Sequence, residues 1–435
     1  MNRFKINTDH TRFYKRINLL LMVVFFVMLG GYFAWFENPG LNKVFKLASR
    51  LVMTISIYVV YRMITKRGAV GSFSWQNSLS PLLYGVYLAL GFVSFLWSTD
   101  PGYSALQWFM DIESLVFSYY FIGCFIMLNH FFPDNPIKLY KVLGHPIFVM
   151  ISIFVIGYFV NPGVFMRMSH GGEEFRLSGF IMNPNELGML AAVGVTCYIF
   201  ILYQKGSRIF TSVKILVLLY AVVLTGSRST TIGCLIVAFF HIKQSSNVRL
   251  KTIMYAGAAM VIPVAINTMI VKSEGNGGVD EVMSFTGRLP FWTALTTEGL
   301  PHEPLFGFGF QRIAYTLYFS GEHIHTYTAS MAHNTFVQVL MNLGFVGFCL
   351  MLFQMFFTFR AFIQSKIKET SLMSLGIIIP LLINSFTEFG IFGETNYSIL
   401  FYQLLIMYVS MTIQPRLTPR EKIYLKKRRP ELVLA

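Results

Sequence analysis

The sequence predicts an all-α polytopic membrane protein of about 12 transmembrane helices, with one large outward-facing loop between helices 9 and 10. Three observations predict it. Of 435 residues 54% are apolar and 13% charged, against roughly 25% charged in an ordinary soluble domain. The apolar residues, 44 Phe, 22 Tyr and 23 Met among them, gather in runs that approach the about 20 residues a helix needs to cross a hydrocarbon core of roughly 30 Å. The 35 Lys and Arg complete the picture. With both termini placed in the cytoplasm, most of them fall in inward-facing segments, as the positive-inside rule requires.

Apolar runs at 18–36, 44–64, 79–97, 112–132, 142–160, 184–204, 212–225, 229–242, 250–271, 335–359, 371–389 and 396–413 mark the spans. The first follows a basic segment, as a signal peptide would, but it is long and lacks a small-residue cleavage site, so it reads as a retained signal anchor. The chain thus divides into helices 1–9 over 1–271 with an outward segment at 161–183, a large loop over 272–334, helices 10–12 over 335–413, and a basic cytoplasmic tail over 414–435. A long loop in an otherwise short-looped chain points to function rather than connection. The net charge of +15 is topogenic. It is scattered over many segments, whereas a nucleic-acid footprint needs charge on one folded face, so no nucleic-acid partner is expected. Cys124, Cys197, Cys234 and Cys349 lie singly inside apolar runs, which gives neither a zinc spacing nor a disulfide framework. No internal repeat relates the two halves, unlike many secondary transporters.

Once the topogenic charges are set aside, a few outward basic residues remain: Lys43, Lys46, Arg50, Arg167, Arg176, Arg228, Lys272, Arg288 and Arg312. For Lys43, Lys46, Lys272 and Arg167 an ordinary surface position accounts for the charge. Arg228 is different. The chain between Lys214 and Lys243 must go out and come back, leaving about 14 residues per leg, or about 21 Å at a rise of about 1.5 Å. That falls short of the roughly 30 Å core, so the turn from Thr225 to Ser229 is expected below the outer surface, unless the lysines snorkel or the helices begin nearer Arg208. A recessed guanidinium needs a polar cavity or an anion, and the helix starting at Ser229 turns its positive dipole end to the same place. The alternative is a hydrogen-bonded hairpin turn whose arginine snorkels outward.

The run from Arg176 to Gly188 also ends in a helix start, with Asn183 as N-cap and Pro184 at the first helical position. Capping accounts for much of the Asn-Pro-Asn sequence, so Asn183 and Asn185 are read first as structural and second as substrate contacts, and Glu186 as a first-turn carboxylate. Arg176 interrupts an otherwise apolar approach to the membrane and is the stronger candidate. In the large loop, Arg288 and Trp292 combine a guanidinium with an aromatic platform, Gly307 and Gly309 permit a tight turn, and His333 and Asn334 stand at the mouth of the tenth helix. The imidazole of His333 is suited to accept a proton near pH 7. His323 and His325 lack an obvious third ligand, so no metal and no cofactor are expected.

Five places taken together resemble the bacterial O-antigen ligase and polysaccharide polymerase superfamily. They are Leu96 to Pro101, Asn183 to Gly188, Gly226 to Ser229, Gly287 to Trp292 continuing through Gly309, and His333-Asn334 followed by Gln338, Leu340 and Gly344. The resemblance implies a multi-pass inner-membrane enzyme with both termini cytoplasmic. It would transfer a glycan at the periplasmic face from an undecaprenyl-diphosphate-linked donor to an acceptor sugar hydroxyl, with no obligatory metal. Carried over by position, Arg176, Arg228 and Arg288 hold the lipid diphosphate and His333 acts at the acceptor hydroxyl, with inversion at the anomeric carbon and Asn334 beside it as a substrate contact. Trp292, Phe308, Tyr315 and Tyr318 are candidate sugar platforms, although loop packing is the better reading of each taken singly.

Two acceptors stay open. A polymerase of O-antigen or exopolysaccharide repeat units, with a separate chain-length regulator as a further partner, is favoured because the Trp-Ser-x-Asp-Pro stretch and the later Gly-Arg-x-x-x-Trp resemble exopolysaccharide polymerases. A ligase would transfer the glycan to lipid A core. A polytopic transporter or flippase is the alternative of a different class, since twelve spans also suit a carrier. Against it, the unusual groups cluster near the outer face instead of the midplane.

Overall fold

A computed structural model describes residues 8–67, 73–132, 136–169, 174–202, 208–244, 288–313, 331–365, 367–388 and 390–413, with isolated positions 248, 252 and 255. The ninth expected span at 250–271 apart from Thr252 and Tyr255, the basic tail, and Lys272, Tyr315, Tyr318, His323 and His325 lie outside the described residues.

Among the described residues the chain forms thirteen α-helices and two minimal antiparallel sheets. In chain order the helices are α1 Thr8–Gly30, α2 Pro39–Arg67, α3 Leu79–Val93, α4 Pro101–Phe131, α5 Leu139–Val160, α6 Pro162–Phe165, α7 Pro184–Leu202, α8 Arg208–Thr225, α9 Arg228–Gln244, α10 Arg288–Ala294, α11 Thr335–Ile363, α12 Lys368–Asn384 and α13 Tyr397–Ser410. The strands are β1 Phe73–Trp75, β2 Met166–Ser169, β3 Glu174–Leu177 and β4 Met411–Ile413, paired β1 with β4 and β2 with β3. Seven helices, α2, α3, α4, α5, α7, α8 and α11, are long and apolar enough to cross a membrane. The protein is a multi-pass membrane protein.

The expectation of twelve spans is met in part. α9 and α12 have 17 residues and α13 has 14. At a rise of about 1.5 Å these reach about 25 Å and 21 Å, less than the roughly 30 Å core. α1 begins at Thr8, inside the basic segment expected to precede it. α8 begins at Arg208 and has 18 residues, so its leg reaches about 27 Å. With α8 reaching back to Arg208 and α9 spanning 17 residues, the recess expected at Arg228 is shallower than two 14-residue legs would give.

α7 is the most enclosed of the seven, with 72% of its apolar window inside the protein, and α2 the least, with 17%. α5, α8, α9 and α12 pack around α7. Large apolar side chains such as Phe159, Val160, Val223, Phe353 and Phe356 face outward, an arrangement suited to lipid, where apolar surface is not driven inward.

Local chemistry explains the elements that carry the site. Asp100 caps α4, its Oδ1 accepting from Tyr103 N–H at 3.0 Å, with Pro101 at the first helical position. α11 breaks its helical geometry at Gly344, and the freed peptide groups find partners in the segment before it. Phe308 N–H donates to Met341 O at 2.9 Å, Gly309 N–H to Asn342 O at 3.0 Å, and Phe345 N–H to Pro304 O at 2.9 Å. Broken helices are tolerated at membrane depth when their backbone groups are satisfied in this way. Gly309 adopts φ of +103°, and a Cβ there would stand 2.5 Å from Ser98. No larger residue fits without displacing the Trp97–Asp100 link, which the same segment meets through Thr99 N–H to Phe308 O at 3.1 Å. Two stretches that carried the family resemblance, 96–101 and 304–309, are thus packed on one another.

Candidate functional site

The starts of α7, α9 and α11 and the end of α12 meet at one end of the bundle, and polar side chains join them. The segment expected to face outward contributes α6 and the β2–β3 pair among its described residues, and β3 carries Arg176 inward. Phe175 is exposed, whereas Arg176 is only 9% exposed. Arg176 Nε donates to Thr225 O at 2.6 Å and its Nη2 to Asn185 Oδ1 at 2.7 Å. Gly226, at φ of +59°, turns the chain from α8 to α9 against that guanidinium, with its Cβ position 3.4 Å from Arg176 Nε. Ser227 follows, and its hydroxyl accepts from Thr230 Oγ1 at 2.8 Å, while Thr230 Oγ1 lies 3.3 Å from Asn185 O.

From Asn185 the network continues to Glu388, which sits beyond the end of α12 and is 1% exposed. Glu388 Oε1 accepts from Asn185 Nδ2 at 2.7 Å and from Arg288 Nη2 at 2.7 Å, and its Oε2 lies 2.7 Å from His333 Nδ1. Arg288 also donates to Thr387 O. One carboxylate therefore joins three of the residues singled out from the sequence: Asn185, Arg288 and His333. Burial alone would push the Glu388 carboxyl up. The hydrogen bond from His333, the charges of Arg288 and His333 and the Asn185 hydrogen bond outweigh it and hold the group below the ordinary carboxylate range. Glu394, in the same α12–α13 link, goes the other way. Its burial raises it despite the hydrogen bond from Tyr103 Oη at 2.6 Å and the charges of Lys46 and His333.

The other expected residues take mixed places. Asn183 caps α7, its Oδ1 accepting from Asn185 N–H at 2.9 Å. Asn334 caps α11, accepting from Phe336 N–H at 2.9 Å and Val337 N–H at 3.2 Å and donating to Phe386 O at 3.3 Å. Both Oδ1 atoms thus serve helix ends, and a substrate contact by either oxygen would compete with its cap. Trp292 donates to Ala332 O at 2.6 Å and packs in a small apolar cluster with Phe291 and Phe308. Phe308, 2% exposed, is enclosed there, in the loop-packing place that the sequence reading preferred for it over a sugar platform. Arg228 opens α9, half-buried, and makes no hydrogen bond or ion pair with the described residues.

The sequence groups Arg50 with the outward basic residues, yet it is a buried strut between α2 and α4. It is 1% exposed, ion-paired with Glu113 at 2.6 Å and set 4.4 Å over the Tyr32 ring. A charge so enclosed needs a partner charge, and Glu113 supplies it from α4.

A reading that follows cations passes over Glu388. Its signal is local: Phe386, Thr387, Glu388 and Phe389 set a lone carboxylate in an apolar segment at a span end, where an ionisable group calls for a reason. Glu394 carries the same signal in weaker form.

Comparison with protein families adds an independent observation: residues 213–352 match the O-Antigen ligase family model. The chain carries an O-antigen ligase family domain. Members of that family transfer lipid-linked glycans, by ligase- or polymerase-type chemistry, and act in lipopolysaccharide and polysaccharide biosynthesis. The match takes in Arg228, Arg288, Trp292, His333 and Asn334, and it favours an enzyme over the transporter alternative. Arg176, Asn185 and Glu388 lie outside the matched stretch and reach it through the fold. No curated protein matches the chain.

Proposed function

We propose that this O-antigen ligase family protein transfers a glycan from an undecaprenyl-diphosphate-linked donor to an acceptor sugar hydroxyl at the periplasmic face of the bacterial inner membrane. Both termini then lie in the cytoplasm, and the end of the bundle where α7, α9 and α11 start faces the periplasm. The observation that carries the reading is the joined set Arg176, Asn185, Glu388, Arg288 and His333, with Arg228 on the adjoining turn.

Departure of the polyprenyl diphosphate from the anomeric carbon develops negative charge on the bridging oxygen. Guanidinium groups held in place stabilise that charge more in the transition state than in the ground state. Arg228 is the arginine best disposed for this, since its charge has no partner among the described residues, while Arg176 and Arg288 border the same region. The helix starts of α7 and α9 add their positive dipole ends. His333 takes the proton of the attacking hydroxyl, and attack opposite the leaving group inverts the anomeric centre. The arginines do the electrostatic work usually given to a metal, so the reaction proceeds without one.

Polymerisation of repeat units is the favoured outcome, on the Trp97-Ser98-Thr99-Asp100-Pro101 and Gly287-Arg288 to Trp292 stretches. Ligation to lipid A core is the second reading, supported by the description of the matching family. Reconstitution with a lipid-linked repeat unit in chelator, with lipid A core offered or withheld, tests both. Longer glycan without the core supports the polymerase, product only with the core supports the ligase, and no product in either arm refutes the reading.

A further inference from the structure

We propose that Glu388 is a positioning residue that selects the imidazole nitrogen with which His333 meets the acceptor and couples that choice to Arg288. This rests on the glycan-transfer reading above and deepens it.

The geometry leaves little freedom. Glu388 is 1% exposed and receives Arg288 Nη2 and Asn185 Nδ2 on one oxygen and His333 Nδ1 on the other, each at 2.7 Å. An ionised carboxylate only accepts. His333 Nδ1 must therefore carry the hydrogen, and the lone pair of the neutral ring belongs to Nε2. The backbone brings the two side chains together: Thr335 N–H donates to Ser385 O at 2.8 Å and Asn334 Nδ2 to Phe386 O at 3.3 Å, which ties the start of α11 to the turn that carries Glu388. His333 itself has φ of +48°, a left-handed conformation uncommon outside glycine. The surrounding contacts hold the ring where the carboxylate can reach it.

Glu388 is not suited to be the base. Three donors occupy its oxygens, and they hold the carboxyl ionised below the usual range. In the step itself, the acceptor oxygen forms the new bond to the anomeric carbon and passes its proton to His333 Nε2. The bond from that carbon to the diphosphate oxygen breaks, and the electron pair leaves with the diphosphate. Glu388 gains no proton; it stabilises the imidazolium that forms, while its other oxygen keeps Arg288 in register.

Glu388→Gln separates this role from a merely structural one. The amide has one accepting and one donating end. With its oxygen kept by Arg288 and Asn185, its N–H₂ faces His333 Nδ1, which must then accept, and the hydrogen moves to Nε2. The expected result, measured with a polyprenyl-diphosphate-linked oligosaccharide donor and full-length protein in lipid, is a loss in kcat on the order of 10³–10⁴-fold, as for an amide replacing the buried carboxylate of a Ser-His-Asp triad. KM for the donor stays near that of wild type. On a His333→Ala background the same change lowers kcat no further.

A loss under about tenfold, where the triad comparison expects far more, overturns the proposal. So does a change confined to KM, or a full loss repeated without His333. If Glu388→Gln does not insert and fold, Glu388→Asp on the two backgrounds carries the test, since it should lower kcat only where His333 is present; equal losses on both overturn the proposal. Failure of the underlying reading looks different: wild type gives no transfer, or His333→Ala retains full activity.

Discussion

Arg176→Lys keeps the charge and removes the fork. In the wild type, Nε and Nη2 of one planar group serve Thr225 O at 2.6 Å, at the end of α8, and Asn185 Oδ1 at 2.7 Å, in the first turn of α7. A lysine offers a single ammonium on a flexible stem and cannot reproduce both directions at once. A hydrogen bond from a charged donor contributes about 1.5–3 kcal/mol. Losing one of the two, in a network that orients Asn185 toward Glu388, should slow transfer by about 10- to 160-fold at 1.36 kcal/mol per factor of ten. The assay is single-turnover transfer by purified protein in lipid nanodiscs, with folding checked by size exclusion. Folded Arg176→Lys protein that works within about twofold of wild type, below the 10-fold floor set by one lost bond, would refute the reasoning, because the paired geometry would then be irrelevant to the reaction.

Arg228→Ala should abolish glycan transfer while leaving membrane insertion intact, and Arg228→Lys should also be poor if the guanidinium grips the diphosphate through two N–H groups; full activity in either removes Arg228 from the site. Gly309→Ala places a methyl group 2.5 Å from Ser98 at φ of +103°, so a stability loss of about 1–3 kcal/mol from overcrowding is expected in thermal melts, and an unchanged melting temperature would mean that the loop is not seated on the α3–α4 link. For Glu388, whose folded value lies below the ordinary 4.5, the unfolded chain binds more protons in the window between the two values. The network's contribution to stability is thus complete above about pH 4.5 and is lost as pH falls through the folded value. Melting curves from pH 7 down to 3.5 should show a shallower acid-side decline in Glu388→Gln than in wild type, and identical slopes would count against the buried ionised carboxylate.

The membrane class of the protein was legible from one dimension, because a helix must be long and apolar to cross lipid whatever it packs against. One helix start was legible as well. Asn183-Pro184 is a local signal, and capping acts within a few residues of itself; the fourth helix, expected from residue 112, instead starts at Pro101 behind the Asp100 cap. Arg176 stood out because it interrupts an apolar approach to the membrane, Arg288 because it stands beside an aromatic platform and His333 because it sits at the mouth of a helix, and the fold joins them. Span lengths were less legible: α8 includes Arg208, ahead of the apolar run expected from residue 212, because backbone hydrogen bonds carry a helix past the apolar residues that mark it.

Sequence alone therefore determined that this chain lives in a bilayer and which end of its helices gathers unusual cations, since hydropathy and capping are short-range properties. Only the tertiary structure decided that Glu388 stands between them, that Arg50 is a buried strut paired with Glu113, and that the glycines at 307 and 309 lie against the break in α11. Those facts depend on residues far apart in the chain, Asn185 and Glu388 or Arg50 and Glu113, meeting within hydrogen-bond distance. No local pattern encodes such a meeting; it follows from how the helices pack and where the kinked one leaves peptide groups to be satisfied.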